Sequence, residues 1–76
     1  MDNRFDTHIQ IVATNLKLLR SKAKISQQEL AYRSHLDIRT IQRLEKGEYS
    51  PTLTVLLSIA EGLGVGLNKL LKGILS

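Results

Sequence analysis

Apolar residues recur early in the chain with a 4-3-4-3 spacing: Phe5, Ile9, Val12, Leu16 and Leu19. That rhythm places them on one face of a helix. It predicts a first helix running to about Lys22 or Ala23, with Asn3 or Asp6 as its cap and residues 1–5 as a loose lead. Ile11 and Leu18 draw a second, thinner apolar line. It reads either as burial of this helix on more than one side or as contact with a partner subunit. Lys17, Arg20, Lys22 and Lys24 crowd the helix end, where the negative dipole pole favours cations.

The next pattern is shorter and repeats. Ser26 and Glu29 have capping-box spacing, and Ile25 and Leu30 flank them as a hydrophobic staple. The staple recurs with Leu36, Asp37 as N-cap, and Ile41. Two starts this close leave room for about two turns of helix and a tight connection, which is helix-turn-helix spacing. In the second of these helices Ile38, Ile41 and Leu44 form an apolar stripe, while Arg39, Gln42 and Arg43 lie opposite, with Thr40 at the edge. An outer face of arginine and glutamine suits a DNA major groove, where arginine matches guanine and glutamine matches adenine. Exposed residues of these types are also common on any solvated helix.

Lys46-Gly47 predicts the stop of this third helix, with Gly47 in the left-handed region. Ser50-Pro51 reads as an N-cap followed by proline in the first turn, so a fourth helix is expected from Pro51 to about Glu61. Leu53, Leu56, Leu57 and Ala60 are assigned to its apolar face, and Leu63 and Val65 close the core beyond it. Leu67, Leu70, Leu71 and Ile74 predict a fifth amphipathic helix over about 67–74. Gly62, Gly64 and Gly66 follow a helix rather than a strand and lack the Gly-Lys-Ser/Thr of a phosphate loop. They read as a helix stop and connector. The expected fold is all-α, five short helices forming a single domain over residues 1–76.

Composition narrows the function. Apolar residues make up 42% and charged residues 24% of the 76 positions, ordinary for a small globular domain. The absence of cysteine excludes a disulfide scaffold and thiolate metal sites and fits a cytoplasmic setting. His8 and His35 have no ligand-spaced neighbours, so neither a metal nor a cofactor is expected. No apolar run approaches the ~18 residues of a membrane span, and the first residues lack the build of a signal peptide. The net charge of +4 is unevenly spread. Lys17, Arg20, Lys22, Lys24, Arg33, Arg39, Arg43 and Lys46 outnumber Glu29, Asp37 and Glu45 in the stretch that holds the motif. That is the footprint of a polyanion binder. Nothing suggests an enzyme: there is no His–carboxylate constellation and no phosphate loop.

Ser-Gln-Gln-Glu-Leu-Ala at 26–31, Leu-Asp-Ile-Arg-Thr-Ile at 36–41, Leu-Glu-Lys-Gly at 44–47 and Ser-Pro-Thr-Leu at 50–53 together resemble the phage repressor and Cro family of helix-turn-helix transcription regulators, lambda repressor-like and XRE-type. The run Leu57-Ser-Ile-Ala-Glu-Gly-Leu-Gly-Val65 is similar to that family's fourth helix and its exit, and the likeness spans about residues 9–72. The resemblance implies double-stranded DNA as partner and base contacts from Ile38, Arg39 and Arg43, with Gln42 a weaker candidate. Ile38 has two readings, a thymine methyl contact or membership of the packed stripe. A glutamine such as Gln27 at the start of the second helix implies a phosphate contact, which the helix dipole there also favours. Thr40, Lys46 and Tyr49 are further phosphate candidates. An arginine late in the first helix, here Arg20, is implied to pair with a glutamate ending the third, here Glu45. His35 is a departure, since the family usually has glycine in that turn.

Family members usually act as twofold dimers. The apolar residues Leu67, Leu71, Ile74 and Leu75 are the candidate dimer surface, with Leu18 or Ile11 as further candidates. The expected function is a homodimeric regulator on a near-palindromic operator, with half-sites about 34 Å apart. A controller of a restriction–modification operon fits the short chain. The competing reading is an antitoxin of the same fold whose main partner is a toxin protein. Contact with RNA polymerase is a further partner expectation for a regulator.

Overall fold

The structure, a computed structural model, is described for residues 4–74. It contains five helices in that span and no strand: α1 (Asp6–Ala23), α2 (Gln27–Ser34), α3 (Ile38–Glu45), α4 (Leu53–Leu63) and α5 (Leu67–Leu70). Each contributes one fully buried large side chain to a common centre: Leu16, Leu30, Ile41, Ile59 and Leu70 respectively. Burying such a side chain is worth about 1.5–3 kcal/mol. With so few residues available, the centre depends on all five helices at once. Leu19, Ile25, Leu36, Tyr49, Val55, Leu56, Leu63, Val65 and Leu67 pack around it.

Local chemistry sets most boundaries. Ser26 Oγ accepts from Glu29 N–H at 3.0 Å to open α2, and Asp37 Oδ1 accepts from Arg39 N–H at 2.8 Å to open α3. The capping box is only half formed, because the Glu29 carboxylate accepts from Arg33 Nε at 2.8 Å. Both staples close onto the core through Ile25 and Leu30, and Leu36 and Ile41. Lys24, His35 and Gly64 take left-handed backbone angles directly after α1, α2 and α4, and Gly47 does so one residue further on, after Lys46 closes α3.

Several expectations are corrected. Phe5, not Asp6, occupies the cap position of α1, with no side-chain capping bond. Asn3 lies outside the described residues. Phe5 also leaves the apolar stripe: it is exposed, with Arg4 stacked at 4.8 Å and His8 edge-on at 5.7 Å. Ala13 is buried beside Val12 and Leu16 instead. α4 starts at Leu53 rather than Pro51, because Thr52 Oγ1, not Ser50, accepts from Val55 N–H at 3.1 Å. Its buried face is correspondingly different. Ile59 is inside, whereas Leu53 and Leu57 are 62% and 50% exposed.

The fifth helix stops after Leu70 rather than at Ile74. Two features end it early. The Asn15 side-chain amide donates to the carbonyls of Leu70 and Lys72 at 2.8 and 2.9 Å, and Gly73 turns to φ +95°. Leu67 packs against the core and Leu71 and Ile74 are half-buried, so this segment serves its own domain. Leu75 lies outside the described residues.

Candidate nucleic-acid interface

The turn between α2 and α3 is compact despite the missing glycine. His35 sits at φ 57° and ψ 39°, its N–H donates to Tyr32 O at 3.3 Å, and Leu36 N–H donates to Ala31 O at 2.9 Å. Histidine tolerates this region better than a β-branched residue does. Leu36 is thereby turned inward and Asp37 is free to cap α3.

α3 then divides along its length. Ile41, Leu44 and Glu45 are buried, while Arg39, Gln42 and Arg43 are exposed. Ile38 is 36% exposed and lies outside the buried set, so it stands with the outer face rather than with the packed stripe. The outward row is therefore Ile38, Arg39, Gln42 and Arg43, one apolar side chain beside three hydrogen-bonding ones. Arg43 lies over the Tyr49 ring at 5.7 Å. That contact narrows the directions open to a long, flexible side chain. Tyr49 is itself half-buried against the core, so Arg43 rests on a fixed surface.

The back of α3 is tied to the scaffold by charge. Arg20 Nε and Nη2 donate to the two Glu45 carboxylate oxygens at 2.5 and 3.0 Å, and Arg20 Nη1 donates to Ile25 O at 2.9 Å. Gln27 Nε2 adds a donor to Glu45 Oε1 at 3.1 Å. The Glu45 side chain is 4% exposed and that of Arg20 18%. A fork-to-fork pair of this kind fixes orientation as well as distance. Its hydrogen bond to Glu45 raises the Arg20 pKa above the ordinary arginine value. The end of α1, the start of α2 and the end of α3 are thus joined at one point.

The expected phosphate contacts fall at the edges of this surface. Lys46 is exposed just beyond α3, Thr40 is half-buried on α3, and Tyr49 holds Arg43. Gln27 begins α2, and its side-chain amide donates to Glu45, while the Glu29 N–H of the same turn donates to Ser26 Oγ. Gln10 donates to Gly47 O at 3.4 Å, and a Cβ on Gly47 would collide with the Gln10 amide. Neither Gln10 nor Asn15 carries a motif. The single hint was Asn15 itself, a poor helix former inside an otherwise regular helix.

The sequence pattern of the helix-turn-helix family HTH_3 matches residues 16–70. Among solved structures, the restriction-modification controller protein C.AhdI from Aeromonas hydrophila superposes with a TM-score of 0.82 at 26% identity, over 84% of this chain and 97% of that one. The wild-type restriction-modification controller protein C.Esp1396I gives 0.75 at 31% identity, over 76% and 75%. An HTH_3 family transcriptional regulator from Vibrio cholerae gives 0.83 at 28% identity, over 86% of this chain but only 36% of that longer one. No match is found among curated proteins.

Proposed function

We propose that this chain, which belongs to the helix-turn-helix family of DNA-binding transcription regulators, binds a specific double-stranded operator as a homodimer with α3 in the major groove. The observation that carries the reading is the two-sided build of α3. Its outer row presents Ile38, Arg39, Gln42 and Arg43, while its inner side is locked by Ile41, Leu44 and the Arg20–Glu45–Gln27 cluster. A reading helix must hold its donors in fixed register against base edges, and this one is braced at its C-terminal end.

Arg39 and Arg43 are one turn apart and point the same way. One of them pairs bidentately with guanine, worth roughly 1–3 kcal/mol of discrimination. Ile38 meets a thymine methyl, and Gln42 is the secondary reader. Gln27, Thr40, Lys46 and Tyr49 line the phosphates and set position without reading sequence.

For the dimer, the exposed Leu53 and Leu57, one turn apart on α4, offer an apolar pair to a second copy. Leu67, Leu71 and Ile74 are partly covered by their own domain and contribute only their margins. The two recognition helices would then lie about 34 Å apart, one helical turn of DNA. The likeness to two restriction-modification controller proteins favours control of an operon of that kind. It is a binding function that asks no chemical step of the chain.

Two variants test the site. Arg43→Ala should lose discrimination at one base pair per half-site while the fold survives. Lys46→Ala should weaken all duplexes about equally and lower the salt slope by about one unit. Wild-type binding by both variants, across sequences and salt, would remove α3 from the groove.

A further inference from the structure

A second surface lies away from the recognition helix. The C-terminal half of α1 and the segment from the end of α4 through α5 enclose an open groove of about 470 Å³. Leu18, Leu19, Leu63 and Val65 form its apolar part, and Lys22, Lys69 and Lys72 stand around it. Among the described residues, no acidic side chain lines it. Leu19, Leu63 and Val65 are backed by the core, so the floor is firm. Leu18, at the edge of this floor, is 60% exposed.

The groove does not face the proposed DNA surface. Leu18 and Lys22 lie two residues to either side of Arg20 on α1, and two residues turn a helix by about 200°. They therefore occupy the face opposite Arg20, the residue that holds α3 through Glu45. Nor does the groove suit a second copy of the same chain. Two such faces brought together about a twofold axis would gather six ammonium groups with no carboxylate from the groove to offset them.

We propose that this groove is a docking site for an acidic amphipathic helix of another protein. The chemistry is complementary on both counts. Apolar anchors at i, i+3, i+4 and i+7 would fill the space over Leu19, Leu63 and Val65 beside Leu18, and flanking carboxylates would meet Lys22, Lys69 and Lys72. An open trough between helices accommodates a helix, whereas a small molecule would be left half in water. The consequence is a regulator that engages a protein while its recognition helix stays on DNA.

The test uses the full chain and a fluorescein-labelled peptide of about four helical turns, with leucine at the anchor positions and glutamate beside them. A matched peptide carries glutamine in place of glutamate. Binding is read by fluorescence anisotropy at moderate salt, with and without a saturating mixed-sequence duplex. The acidic peptide should bind, the glutamine peptide should bind at least about tenfold more weakly, and Lys69→Glu and Leu18→Ser should each weaken the acidic peptide by about tenfold. The duplex should leave peptide affinity unchanged, and both variants should retain wild-type affinity for the duplex. Three results would overturn the proposal. They are equal binding of both peptides, displacement of the peptide by DNA (which would make it a DNA mimic), and loss of self-association in Leu18→Ser by sedimentation (which would make the groove a contact between copies). Lys69 and Lys72 are exposed, so charge reversal there spares the fold. Because DNA binding is read separately, failure of the groove is distinguishable from failure of the operator reading.

Discussion

Removing Arg20 should destabilise this domain more than any exposed charge could. The Glu45 carboxylate, 4% exposed, receives two N–H groups from Arg20 and one from Gln27. With Arg20→Met, one neutral amide remains to satisfy a buried charge. Breaking one partner of a buried pair costs about 3–5 kcal/mol. A chain of 76 residues has a total stability of about 4–11 kcal/mol at 0.05–0.15 kcal/mol per residue. The single change therefore removes about a quarter or more of what holds the fold. In urea, with a slope of about 1 kcal/mol per molar, the midpoint should fall by about 3 M or the variant should be unfolded in buffer. The double variant Arg20→Met/Glu45→Met should recover part of the loss, since no unpaired buried charge is left. The assay is urea unfolding followed by circular dichroism for wild type, both single variants and the double. Losses under about 1 kcal/mol in both singles, the range of an exposed pair, would refute the reasoning. So would strict additivity in the double. The arginine's raised pKa adds no pH dependence at ordinary values. Its contribution is fully present below the unfolded-state pKa and is lost only as pH rises through the still higher folded one.

Thr52→Ala should cost about 1 kcal/mol by removing the α4 cap, while Ser50→Ala should fall within about 0.5 kcal/mol of wild type; equal losses would move the helix start back to Ser50. Gly62→Ala should destabilise by about 1–3 kcal/mol, because its Cβ would strike the Ser34 hydroxyl across the α2–α4 contact. The Ser34 hydroxyl is buried with no hydrogen-bond partner among the described residues, so Ser34→Ala should be neutral or stabilising and should partly rescue Gly62→Ala; thermal melts of the two singles and the double check both statements. His35→Gly should stabilise by up to about 1 kcal/mol, since it relieves a side chain at positive φ, and an unchanged or lowered melting temperature would contradict this.

What was legible in the sequence follows the range of the forces involved. Helices α2 and α3 begin where Ser26 and Asp37 cap them, because a cap is decided within four residues. Gly47 ends the motif for an equally local reason. α4 was harder. Leu53, Val55, Leu56, Leu57, Ile59, Ala60 and Leu63 leave little polar face to define a stripe, so periodicity could not choose Ile59 over Leu57. The choice is made by packing against helices distant in sequence. Ile38 was ambiguous for the opposite reason: it sits at the seam between the buried and exposed sides, and its 36% exposure is set by tertiary neighbours. No local pattern ties Arg20 to Glu45, which lie on different helices, and only the family resemblance pointed to that pair. The early end of α5 depends on Asn15 reaching the Leu70 and Lys72 carbonyls from α1, a contact that no window of neighbouring residues contains.

The central claim is that the outer row of α3 reads a DNA sequence. Selection of bound sites from a random duplex pool, at fixed moderate salt, tests it most directly. The account predicts one enriched motif of twofold symmetry, with half-sites about ten base pairs apart and a guanine in each. Retention of DNA with no enriched motif would contradict it, leaving a basic domain held by phosphate charge alone.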